Sequence, residues 1–184
     1  MTVGVIGDVH GDFSTIESIM KDNSEIKCWL CTGDLADKTM EYFSPPAHLY
    51  WISGNHENWD KIEKLDRGIL KIPNLVHLAN AETFQLGKTR ILGLGGNYSP
   101  TYYVFKKAKL PKGRERHYVE SEIQKCMESR NIEVLITHEA PSPITVMARI
   151  LEGRKSRIFS RQQNPESIFS GIITGSAFLK LQKG

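Results

Sequence analysis

Apolar residues in this chain come in short runs, each stopping at a polar, glycine-flanked cluster. Thr2 to Ile6 is a β-type run that ends at Gly7-Asp8-Val9-His10-Gly11. Ile26 to Thr32 ends at Gly33-Asp34, Leu49 to Ser53 at Gly54-Asn55-His56-Glu57, and Ile132 to Thr137 at His138-Glu139-Ala140-Pro141. Helical periodicity lies between them. Ile16, Ile19 and Met20 share one face of a helix for which Ser14 and Glu17 have capping-box spacing. Trp59 to Arg67 reads as a polar helix, and residues 117 to 130 as a helix with Val119, Ile123, Cys126 and Met127 on one side. Two strands, about 75 to 79 and 82 to 86, precede a Gly87-Lys88 turn into Thr89 to Leu94, which makes a hairpin closed by Gly95-Gly96-Asn97. From Tyr98 to Gly113 periodicity is lost, and the segment reads as an irregular surface loop. Alternating strands and helices predict an α/β fold with parallel pairing, whose functional groups gather at the carboxyl ends of strands.

Composition narrows the class without naming a reaction. The length of 184 residues favours one self-supporting domain, and 40% apolar with 24% charged residues is that of a soluble globular protein. A net charge of +3 tolerates an anionic substrate but does not argue for one. No apolar run approaches the roughly 18 residues of a membrane span, and Asp8 interrupts any signal-peptide core, so no membrane association and a cytoplasmic location are expected. Cys28 and Cys31 lie three apart in a strand and therefore face opposite sides, which predicts buried small hydrophobes rather than a metal or disulfide pair. Cys126 reads the same way. A serine-hydrolase elbow of the form Gly-x-Ser-x-Gly is absent from the sequence.

The strand-end clusters carry the chemistry. Asp8 and His10 are two residues apart, which puts both side chains on one side of extended backbone, where they can grip one ion. Asp34 can bridge two ions through its two oxygens, and Asn55 and His138 add an oxygen and a nitrogen to the second. Two divalent ions against two carboxylates leave a site of about +2, suited to a phosphate ester and able to acidify a water held between the ions. His56, next to Asn55, is placed for proton donation to a leaving alkoxide or contact with a phosphate oxygen. Glu57 is placed to orient a histidine. His48, His77 and His117 belong to no cluster, and His77 reads as a surface residue.

Gly-Asp-x-His-Gly, Gly-Asp, Gly-Asn-His-Glu and a later Thr-His, in that order over about residues 3 to 141, resemble the calcineurin-like metallophosphoesterases. The resemblance implies two facing mixed β-sheets flanked by helices and a dinuclear centre of Mn, Fe, Zn or Ni that hydrolyses phosphomonoesters or phosphodiesters. Matched motif by motif, it implies Asp8, His10, Asp34, Asn55 and His138 as metal ligands and His56 as the catalytic histidine. The segment Tyr98 to Tyr118 interleaves Lys106, Lys107, Lys109, Lys112, Arg114 and Arg116 with Tyr102, Tyr103, Phe105 and Tyr118, the ingredients of a surface that pairs phosphates and stacks bases. Its place after Gly95-Gly96-Asn97 resembles the RNA lariat debranching branch of the family, so Arg114 and Arg116, with Asn55 and His56, are expected to bind an RNA or nucleotide substrate. Asp8 departs from that branch, where a cysteine usually stands.

One part of the family pattern is missing. The family closes its site with Gly-His-x-His, and this chain has no histidine after His138. A core over residues 1 to 141 and an aberrant, weakly folded tail over 142 to 184 are therefore expected. A shifted reading frame between His138 and Asn164 would account for such a tail, because codons for Ser170 to Thr174 read one frame over can encode Gly-His-His-His. Loss of two imidazoles weakens metal binding. Two functions follow: a metal-dependent phosphoesterase impaired by its tail, or a non-catalytic RNA- or phosphate-binding protein on the same scaffold.

Overall fold

The computed structural model describes residues 2–139 and the backbone of Gly171–Ile173 and Leu179–Gln182. Strand β1 (Thr2–Ile6) leads into helix α1 (Phe13–Asp22), β2 (Cys28–Cys31), β3 (His48–Trp51), α2 (Trp59–Asp66) and β4 (Leu75–His77). The chain then forms β5 (Thr83–Leu86), β6 (Thr89–Leu94), the short helix α3 (Pro100–Tyr103), a 3-10 turn at Lys107–Lys109, α4 (Glu120–Glu128), β7 (Val134–Thr137), β8 (Gly171–Ile173) and β9 (Leu179–Gln182). One sheet has the order β4-β3-β2-β1-β9, parallel except for the antiparallel β9, and the other the order β5-β6-β7-β8, parallel except for the β5–β6 hairpin. This is the expected pair of mixed sheets flanked by helices.

Alternation along the strands sorts side chains into layers. Val3, Val5 and Leu30 face Ile91, Val134 and Ile136 between the two sheets. Trp29, Cys31, Leu49 and Trp51 face the other way, under Ile16 and Met20 of α1 and Ile62 of α2. Leu92, Leu94 and Leu135 cover the far face of the second sheet, where Ile123 and Cys126 of α4 seal them. Because strands covered on both faces cannot alternate apolar with polar, they read in sequence as unbroken apolar runs. Cys28 and Cys31 accordingly go to different layers, and both are free thiols. Burial pushes the Cys126 thiol up to about 12.

Several local readings are corrected. The N-cap of α1 is Asp12, whose side chain accepts from Thr15 N at 3.2 Å, and Ser14 donates to that same carboxylate rather than capping. Helix α4 starts at Glu120, not 117, because Asn97 pairs with His117 as an isolated parallel bridge and draws that segment into extended backbone. His77 is not a surface residue. Its side chain is 6% exposed, its Nδ1 lies 2.6 Å from Asp66 Oδ1 at the end of α2, and its ring packs on Trp51 with centroids 4.7 Å apart. The segment after Tyr98 is not wholly irregular, since it contains α3 and the 3-10 turn. The tail from 142 to 170 lies outside the described residues.

The close approach of β1 and β2 yields a test of the packing. A Cβ at Gly4 would lie 2.2 Å from the ring of the fully buried Trp29. Gly4→Ala should therefore cost about 1–3 kcal/mol by overpacking. It would be read as a lower urea midpoint at unchanged slope, and an unchanged midpoint would contradict this packing.

Candidate metal centre

The carboxyl ends of β1, β2, β3 and β7 meet at one rim. Backbone bonds strap the first two loops together, Asp8 N to Gly33 O at 3.2 Å and His10 N to Asp34 O at 2.7 Å. The second sheet joins through Gly96 N to Ser53 O at 2.8 Å, and within it His138 N donates to Leu94 O at 3.3 Å. Asp8, His10 and Asp34 have φ of 52°, 46° and 51°, the left-handed region that non-glycine residues rarely occupy. Such residues cost on the order of 1–3 kcal/mol each and persist where surrounding structure over-determines them. Here the strain falls on residues expected to be ligands.

The side chains converge. Asp8, Asp34 and His138 each offer a ligand atom, and these atoms lie within 4.8 Å of one another. His10 Nε2 is 3.5 Å from Asp34 Oδ2 and 4.0 Å from Asp8 Oδ1. On the other side, His138 Nε2 is 3.7 Å from Asp34 Oδ1 and 3.0 Å from Asn55 Oδ1. Asp34 is 3% exposed, and its two oxygens face these two groups separately. His56 donates its backbone N–H to Asp34 Oδ1 at 2.8 Å, and its exposed ring stands edge-on to His10 with centroids 5.9 Å apart.

These donors fit divalent cations. His138 Nδ1 is 2.9 Å from Thr32 O, an acceptor, so the ring donates there and presents the Nε2 lone pair to the site. That lone pair then meets the oxygens of Asn55 and Asp34, with no donor among them. A proton on Nε2 or a cation between them would satisfy this contact, and a mixed set of imidazole nitrogen, carboxylate and amide oxygens suits a divalent metal ion. Thr32, whose carbonyl fixes the tautomer, gave no sequence signal because a backbone atom acts.

Glu57 does not orient a histidine. Its Oε1 accepts from Leu35 N and Gly54 N, both at 3.1 Å, and from Trp51 Nε1 at 3.4 Å, while Oε2 accepts from Tyr42 Oη at 2.9 Å. Burial pushes its carboxyl up, against the lowering effect of those donors.

Arg114 and Arg116 make their contacts within their own loop. The Arg114 guanidinium lies 5.6 Å from the Tyr102 ring centroid, His117 stacks on Tyr102 at 5.2 Å, and Arg116 Nε donates to His117 Nε2 at 3.4 Å. Lys107 turns inward, donating to the carbonyls of Glu115 and His117 at 3.0 and 2.9 Å, so it is not part of a phosphate-facing surface. The loop begins beside the rim, where Tyr98 N donates to the carboxylate of Glu139, next to His138.

Glycine makes the convergence possible. A Cβ at Gly54 would lie 2.0 Å from Asp34 Oδ1, and one at Gly33 2.7 Å from His138 Nδ1. Gly54→Ala is expected to displace the Asp34 carboxylate and weaken Mn²⁺ uptake about 10- to 100-fold by calorimetry, whereas wild-type uptake would contradict the geometry.

Comparison with known proteins agrees with the site. The family described as calcineurin-like phosphoesterase matches residues 1–171. The chain is 24% identical over 181 residues to the lariat debranching enzyme of Arabidopsis thaliana, covering 79% of this chain and 43% of that protein. It is 24% identical over 180 residues to the lariat debranching enzyme of Drosophila pseudoobscura pseudoobscura, covering 78% and 34%, and 22% identical over 182 residues to that of Entamoeba histolytica, covering 78% and 51%. The chain thus spans a third to a half of the length of these relatives. Among the described residues no helix is long and apolar enough to cross a membrane. With strand-end carboxylates and imidazoles converging on one rim, and the family match running through all four of the loops that carry them, this chain belongs to the calcineurin-like phosphoesterase family.

Proposed function

We propose that this chain is a dinuclear metal-dependent phosphoesterase acting on a phosphodiester of a nucleic acid. The observation that carries it is the Asp34 carboxylate, buried between two donor groups with one oxygen toward His10 and the other toward His138 and Asn55. Asp8 and His10 would hold one divalent ion, Asn55 and His138 a second, with Asp34 shared. When bound, such ions supply Lewis acidity toward the phosphate and acidify the attacking water.

The chain's own residues do the rest. His56 stands exposed at the rim on a backbone fixed by Asp34, so its ring is free to give a proton to the leaving alkoxide, a step typically worth 10²–10⁴ in rate. Arg114 and Arg116 would pair with a neighbouring phosphate from the loop beside the rim. The relatives' name, lariat debranching enzyme, supports RNA as the substrate class. The basic and aromatic loop beside the rim also fits a second reading, a non-catalytic RNA or phosphate binder with the same rim.

One experiment separates them. Hydrolysis of bis(p-nitrophenyl) phosphate with added Mn²⁺ should fall at least about 10³-fold in Asp34→Ala and about 10²- to 10⁴-fold in His56→Ala. Metal-independent RNA binding that weakens with salt, without turnover in the wild type, would instead establish the binder.

A further inference from the structure

Two loops supply the centre from the first sheet's interior strands, linked below by Ile52 N to Cys31 O at 3.1 Å and across by His56 N to Asp34 Oδ1 at 2.8 Å. The loop after β2 carries Asp34 and the loop after β3 carries Asn55 and His56. Glu57, 5% exposed, bonds to both loops. Its Oε1 takes one N–H from each loop, Leu35 N immediately after Asp34 and Gly54 N immediately before Asn55, each at 3.1 Å. The same oxygen accepts from the indole of Trp51, a side chain that packs wholly in the core.

The second oxygen is held from a third element. Tyr42 Oη donates to Oε2 at 2.9 Å and accepts from Asn58 N at 3.1 Å, and Asn58 Nδ2 donates to Met40 O at 3.0 Å. Asn58 also caps α2 by accepting from Lys61 N at 3.0 Å. Tyr42 rests on Trp51 with ring centroids 5.2 Å apart. Four donors from residues 35, 42, 51 and 54 therefore converge on one carboxylate, three on Oε1 and one on Oε2. A bulkier or shorter acceptor would let the loops drift apart.

We propose that Glu57, braced by Tyr42, is a positioning clamp that sets the separation of Asp34 from Asn55 and His56 and thereby the cation affinity of the rim. The clamp rests on the metal-binding function proposed above. Glu57 touches neither substrate nor cation; it acts through Leu35 and Gly54. What it supplies is geometry, so an uncharged acceptor of the same shape should serve. In Glu57→Gln the amide oxygen can take the place of Oε1, and the NH₂ can donate to Tyr42 once its hydroxyl rotates.

Mn²⁺ titration by calorimetry on the full chain tests this, with metal-free thermal melts alongside. Glu57→Ala should weaken Mn²⁺ binding about 10- to 100-fold, and Glu57→Gln should stay within about threefold of wild type. Glu57→Ala binding Mn²⁺ like the wild type overturns the clamp, as does Glu57→Gln failing as badly as Glu57→Ala, since charge rather than hydrogen-bond geometry would then act. Should Glu57→Ala not fold, Tyr42→Phe decides: it removes one donor to Glu57 and keeps the ring on Trp51. That variant is expected to weaken binding at least about threefold, and unchanged affinity overturns the clamp. Asp34→Ala separates the two levels. If it binds Mn²⁺ like the wild type, the metal site itself is refuted; if it loses Mn²⁺ while Glu57→Ala does not, only the clamp falls.

Discussion

Everything at the rim depends on one buried carboxylate being shared. Asp34 is nearly inaccessible to water, yet its two oxygens face the imidazoles of His10 and His138 on separate sides rather than a lysine or arginine. A buried anion in that position is costly unless a positive charge is supplied. The His56 backbone N–H offsets a little of that cost. A divalent cation held there would offset far more.

The sandwich exists to hold this rim still. Trp29 and Trp51 fill the layer under the helices, and Val5, Leu30 and Ile136 lock the two sheets together immediately below the loops. A rigid base lets the loops keep left-handed backbone at Asp8, His10 and Asp34, which a mobile segment would relax. Gly33 and Gly54 face each other where no side chain fits, so the loops close to within backbone contact and Asp34 can reach His138 across the sheets. The convergence is a consequence of packing: these side chains meet because the space between them has been emptied of Cβ atoms.

Strand ends were legible in the sequence because burial on both faces leaves uninterrupted apolar runs, and a polar residue then marks where each run leaves the core. The spacing of Asp8 and His10 and the order of the four clusters were legible for the same reason. Other features were set by partners distant in the chain. Asp12 and Ser14 are both plausible caps for α1, and only the backbone entry at residue 12 decides for Asp12. His77 alternates correctly with Val76, but its face lies on Trp51 and under Asp66, so the polar residue is the covered one and Val76, 41% exposed, the open one. Glu57 directly follows His56 in sequence and does not bond it, because its carboxylate accepts from Leu35 N and Gly54 N instead. Tyr42 and the Thr32 carbonyl carry no local pattern at all.

The central claim concerns where cations sit, and the most direct measurement is a crystal structure grown with Mn²⁺ and examined at an anomalous-scattering wavelength. Two anomalous peaks flanking the Asp34 carboxylate, about 3.5–4 Å apart, one beside Asp8 and His10 and one beside Asn55 and His138, are the predicted result. A map with no anomalous density within ligand distance of Asp34 would contradict it.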